Sequence, residues 1–121
     1  MLDLEAVDYR LPLNSDLIFC MGVICVIVDD KKLDALLDKC YYALKPNGLF
    51  ITRDTFAKKE AFESTQPNGY HAHYRRCSDV LKTMRDKGFK VERTISLVDK
   101  GNCDNKYYIY RKQESLRCIE G

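Results

Sequence analysis

The segment Tyr70-His71-Ala72-His73-Tyr74-Arg75-Arg76 is the densest polar and aromatic cluster in the 121-residue chain. In an extended backbone its alternation sets His71 and His73 on one side. Such a His-x-His pair suits a metal ion, but no third ligand stands at comparable spacing, so no metal is expected. A histidine or tyrosine here can also orient a hydroxyl or amine, or take up its proton. The plain alternative is a solvated loop. A second candidate group is Cys20-Met21-Gly22, at the carboxyl end of a predicted parallel strand, where open α/β sheets bind their ligands. The alternative there is that Cys20 and Met21 are core. Asp54 ends a second predicted strand and takes either a ligand-side or a turn role.

The elements that position these residues centre on residues 17–54. Residues 17–28 are almost continuously apolar, as expected of a parallel strand covered on both faces, with Gly22 marking its end. Asp29 or Asp30 can cap a helix whose apolar positions are Leu33, Leu36, Leu37, Cys40, Tyr41 and Leu44. Lys45-Pro46-Asn47-Gly48 stops that helix, and residues 49–52 return as a strand. A βαβ unit is the economical reading, because parallel neighbours need a crossover of this length.

Residues 1–8 read as a short strand and residues 9–15 as a loop. Residues 55–74 form a long connection, of a size that is usually functional or mobile. Ser78 is a plausible cap for a helix with Cys77, Val80, Leu81 and Met84 on one side, closed by Gly88. Residues 91–98 and 106–112 have strand patterns and pair naturally as an antiparallel hairpin. The tail from Gln113 is polar and expected to fray.

Composition narrows the class. Hydrophobic residues at 45% and charged residues at 31% describe one soluble globular domain, residues 1–121. A net charge of +2 argues against nucleic acid or an acidic membrane surface. The longest apolar run is too short to span a bilayer, and no secretory signal pattern is present. The six cysteines show no metal-ligand spacing and are read as buried and reduced, which points to the cytoplasm.

The ordered set VDYRLP (7–12), DLIFCMGV (16–23), ALKPNGLFITRD (43–54) and GFKVERTISLV with KYYIYRK (88–98 and 106–112) resembles the C-terminal half of a class I S-adenosylmethionine-dependent methyltransferase. The resemblance implies an α/β, Rossmann-like methyltransferase half-fold: a mixed sheet with parallel central strands and a C-terminal antiparallel hairpin. It also implies that the strand at 106–112 inserts between those at 49–52 and 91–98. Asp8, with Tyr9 beside it, matches the position of the acidic residue that accepts from the cofactor's adenine amino group. The plain alternative is an exposed loop Asp beside Arg10. Cys20, Met21 and Gly22 match the place where the methionine part of S-adenosylmethionine packs. Tyr70, His71, His73, Tyr74, Arg75 and Asp54 fall where small hydroxyl or amine acceptors bind.

The sequence departs from the family in one respect. Its six glycines are all isolated, so the glycine-rich cofactor loop and the first two βα units of the family have no counterpart. The resemblance therefore implies a methyltransferase-like domain that binds its cofactor weakly or not at all as a lone chain. The alternative is a non-catalytic structural or interaction module derived from such an enzyme. An apolar strand at 17–20 without its usual neighbour, and with no Lys or Pro in 17–28 to blunt it, predicts a homodimer built on that edge. A complementary N-terminal half is the other partner that would meet the need.

Overall fold

The computed structural model describes residues 13–65, 67, 69 and 71–113, the side chains of 98–100 excepted. The strand expected at 1–8, with Asp8 and Tyr9, and most of the expected tail lie outside the described residues. So does Tyr70.

The elements are β1 (Ser15–Met21), α1 (Asp30–Ala43), β2 (Leu44–Ala57), β3 (Phe62–Thr65), β4 (His71–Tyr74), α2 (Cys77–Asp86), β5 (Phe89–Lys100) and β6 (Cys103–Lys112). Four strands form one sheet in the order β1-β2-β6-β5, and β3 and β4 form a separate two-stranded sheet. β1 and β2 run parallel, with Leu17 opposite Leu49 and Phe19 opposite Ile51. β6 is antiparallel to both of its neighbours and lies between β2 and β5, as the resemblance implies.

α1 starts where the sequence can satisfy its first amides. Asp29 is the N-cap, and its carboxylate accepts from the backbone N–H of Lys31 at 2.8 Å and of Lys32 at 3.4 Å. The buried stripe Leu33, Leu36, Leu37, Cys40 and Tyr41 then meets one face of the sheet. From that face rise Phe50, Phe56, Tyr108 and Tyr110, all essentially without solvent contact. Phe89 packs into the same layer, 5.2 Å from Phe50 and 5.4 Å from Tyr41 between ring centres. Gly88 is required at the end of α2: its φ is 101°, and a Cβ there would lie 2.6 Å from the Tyr41 ring.

Four expectations need correction. The strand in the apolar run 17–28 ends before Gly22, as expected, but it is covered on one face and not on both: Leu17 and Phe19 are 42% and 59% exposed. Both helices sit on the opposite side of the sheet, where Phe50 and Phe56 are buried. The long connection 55–74 is not a structureless loop. It extends β2 to Ala57 and then forms the β3–β4 hairpin, in which Phe62 pairs with Tyr74 across the strands. Ser78 does not cap α2. The helix begins at Cys77 with Arg76 as N-cap, and Arg76 is fixed by a two-pronged bond to Asp79 at 2.9 and 3.0 Å. Finally, the strand expected at 49–52 is longer: α1 stops at Ala43, β2 begins at Leu44, and residues 45–48 lie within it, Asn47 with a φ of 65°.

Candidate functional site

Met21 and Gly22 stand at the carboxyl end of β1, and both are exposed. Gly22 has a φ of 67°, and a Cβ built on it meets no atom within 4 Å, so the backbone there is open to an approaching ligand. Its N–H donates to the carbonyl of Arg53 at 2.6 Å, which extends the β1–β2 pairing by one residue. Cys20 differs from its two neighbours. It is buried against the helix layer, and burial, reinforced by the nearby Cys40 and Asp54, pushes its thiol far above the ordinary range. It is a core residue rather than a nucleophile.

Residues 22–29 connect β1 to α1 and are held by three side chains of other elements. Asp54, near the end of β2, accepts from the N–H of Ile24 at 3.2 Å and of Cys25 at 3.0 Å. Arg75 donates to the carbonyls of Ile24 at 2.9 Å, Ile27 at 2.8 Å and Val28 at 3.2 Å. Its Nε also donates to Asp30 at 2.9 Å. His73 contributes its backbone N–H to Cys25 O at 2.7 Å and places Nδ1 3.3 Å from Val28 O. A loop this short cannot pair all of its backbone groups internally, so a buried carboxylate and a buried guanidinium satisfy them.

The cost of burying these charges appears at Asp54. Removal from water is the largest influence and pushes its carboxyl up to about 6, while the two amides pull in the opposite direction. Arg75 keeps its charge balanced by Asp30 and by carbonyl dipoles.

Beside this loop, a cleft of about 380 Å³ opens between α1 and α2. Leu33, Leu37 and Val80 form its apolar floor, and Asp30, His73 and Arg75 are on its wall. Its size is at the lower end of the range for small-molecule pockets. His71 points elsewhere, to Thr65 and to Glu63 at 3.4 Å within its own hairpin. Tyr74 packs against Phe62 with ring centres 5.1 Å apart and planes tilted by 58°, and burial raises its phenol above the ordinary value.

The structure thus brings together Met21, Gly22, Asp54, His73 and Arg75 at one end of the sheet. It sets Cys20 in the core behind them and His71 and Tyr74 on the hairpin. Sequence reasoning missed Asp30 as the partner of Arg75, and it missed the backbone of residues 24–28 as the object of the polar cluster. No signal in the residue types could have found the second, because the partners are main-chain atoms. Chemically, the arrangement is a rigid ledge next to a cleft. Its polar side chains Asp54 and Arg75 hold the loop in place.

Solved structures with a similar fold include S-adenosylmethionine-dependent methyltransferases and a cyclase. A Methanosarcina mazei S-adenosylmethionine-dependent methyltransferase matches with a TM-score of 0.69 at 12% identity, over 92% of this chain and 65% of that one. The Burkholderia thailandensis 1,6-didemethyltoxoflavin N1-methyltransferase, solved with 1,6-didemethyltoxoflavin and S-adenosylhomocysteine, matches at 0.72 and 12%, over 88% and 48%. The [4+2]-cyclase SpnF matches at 0.69 and 12%, over 93% and 54%. The chain spans between about half and two thirds of the length of these structures. At such identities the likeness shows the fold: a Rossmann-like, methyltransferase-type α/β sheet. No protein-family model and no curated protein matches the sequence. Among the described residues, no helix is long and apolar enough to cross a membrane.

Proposed function

We infer that this chain is the acceptor-side part of an S-adenosylmethionine-dependent methyltransferase, acting on a small hydroxyl or amine. The observation that carries the reading is the Met21–Gly22 ledge, exposed at the carboxyl end of a parallel strand and braced from behind by Asp54 and Arg75. Gly22 offers open backbone where the methionine part of the cofactor would lie, so the residues present fit that end of the ligand. Asp8 would accept from the adenine amino group, and Tyr9 would lie beside it. The cleft walled by His73 and Arg75 would take the acceptor. Methyl transfer depends mainly on holding the nucleophile in line, which suits a site with rigid walls and little acid–base machinery. A similar fold also serves a cyclase, so the reaction is set by the site and not by the sheet.

Without a glycine-rich loop, the chain by itself should bind S-adenosylhomocysteine weakly, with a Kd on the order of millimolar. Titration followed by amide chemical shifts should move Met21, Gly22 and Val23 first, and Asp8→Ala should weaken the response. Shifts confined to other surfaces, or none at saturating ligand, would remove the reading. Micromolar affinity would instead make the chain self-sufficient. A second reading, a non-catalytic interaction module on the same fold, is favoured by the apolar sheet face that carries Leu17 and Phe19.

A further inference from the structure

α2 stands between two hollows. Its residues Asp79, Val80 and Thr83 line the cleft shared with α1. Ser78, Leu81, Lys82 and Arg85, at i, i+3, i+4 and i+7, form a separate stripe along the helix. That stripe and the edge strand β5 enclose a groove of about 680 Å³, floored by Leu81, Phe89 and Val91. The two hollows differ in charge. The cleft has Asp30, Asp34 and Asp79 in its lining, whereas the groove has Lys82, Arg85 and Lys90 and, among the described residues, no carboxylate. The carboxylates next to it in sequence do not change this. Glu92 holds Arg111 at 2.8 Å, and Asp86 meets only Lys82, at 3.7 Å, with both side chains largely in water. Among the described residues, Arg85 and Lys90 have no ion-pair partner.

We propose that this groove binds a small amphiphilic monoanion: an aliphatic or aromatic carboxylate whose apolar body lies on Leu81, Phe89 and Val91 and whose charge meets Arg85 and Lys90. The volume is within the range of small-molecule pockets. Arginine and lysine lay their stems along apolar surface and keep their charged heads at its rim, where the carboxylate of a half-buried ligand would stand. A phosphate dianion fits less well. Arg85 is in the last turn of α2, so a ligand beside it meets the negative end of the helix and no free amides, a cost that grows with its charge. An added peptide strand also fits less well, although among the described residues β6 is the only neighbour of β5. The β5 register shifts between Val91 and Arg93 and again between Ser96 and Val98, and such bulges keep a further strand off an edge.

This site does not involve the Met21–Gly22 ledge, and its test uses no cofactor. Octanoate and the neutral octan-1-ol, of equal chain length, are titrated into the isotope-labelled chain and followed by amide chemical shifts. Leu81, Arg85, Phe89 and Val91 should respond to octanoate about ten-fold more tightly than to octanol, with the gap closing as salt is raised. Arg85→Gln combined with Lys90→Gln, both at exposed positions, should bring octanoate down to the affinity of octanol and leave octanol unchanged, with circular dichroism the same. Equal affinities in the parent chain, or no response to octanoate, would overturn the assignment. So would shifts centred on Leu33, Leu37 and Val80 of the cleft, or on Leu17 and Phe19 of the sheet.

Discussion

Asp54 and Arg75, opposite in charge, do not bond to each other in this structure; they grip the same short loop, one by its amides and the other by its carbonyls. Both meet at Ile24, whose N–H goes to Asp54 and whose C=O goes to Arg75. The ledge at Met21–Gly22 is as rigid as this double hold makes it.

The raised carboxyl of Asp54 sets a pH dependence. Its folded value, about 6, lies above the unfolded value, so folding takes up a proton between them. The stabilisation is fully present below about pH 4 and is lost as pH rises through about 6. Urea midpoints should therefore be higher near pH 5 than near pH 8, by an amount equivalent to about 1.4 kcal/mol. Asp54→Asn should flatten that dependence; an unchanged slope would show that other groups set it.

Arg75→Ala leaves the carbonyls of Ile24, Ile27 and Val28 without their donor and Asp30 without its cation. A loss of about 3 kcal/mol is expected from chemical denaturation. Arg75→Lys should recover only part of it, because an ammonium cannot reach carbonyls along a fork. Full recovery by lysine would mean that charge alone matters.

Gly88→Ala combines a positive φ with a collision against the buried Tyr41 ring. It should cost about 2–4 kcal/mol, measured as a lowered thermal midpoint with secondary structure retained. A change below 1 kcal/mol, a size typical of harmless surface substitutions, would contradict the packing described.

Thiol labelling offers an independent check of the core. Cys20, Cys25 and Cys40 are buried, and burial holds the thiols of Cys20 and Cys40 well above the usual range. They should resist iodoacetamide in the native state and react in denaturant, while Cys77 and Cys103 react earlier. Mass spectrometry of the labelled peptides gives the order directly.

The βαβ unit was legible because its helical apolar period of 3.6 is unbroken over residues 33–44, and the terminal hairpin because residues 91–98 largely alternate and residues 106–112 are a run of high β propensity. The β3–β4 hairpin was not. Its strands are four residues long and mostly polar, and Pro67-Asn68-Gly69 reads as plain loop. The cross-strand pair Phe62 and Tyr74, with alternation on both sides of that turn, was the available signal. Asp54, His73 and Arg75 stood out by residue type and position, but the structure gives them mainly backbone partners, with Asp30 beside Arg75, and no sequence pattern marks those. The exposed sheet face was hidden for another reason. A run such as Leu-Ile-Phe-Cys has apolar residues on both faces whether or not something covers them.

The place of β6 between β2 and β5 has a consequence for synthesis. On the ribosome, β1, α1 and β2 emerge first and can pair, but the far side of β2 stays unpaired until the last described strand appears. Phe50 meets Tyr110 only then, across about half of the chain. Closing so long a loop is a slow step, and β5 cannot join the sheet before it, since β6 is its only neighbour there. A chain stalled before Cys103 would carry a half-made sheet in which the β6 side of β2 stays open, a species exposed to chaperones and to aggregation.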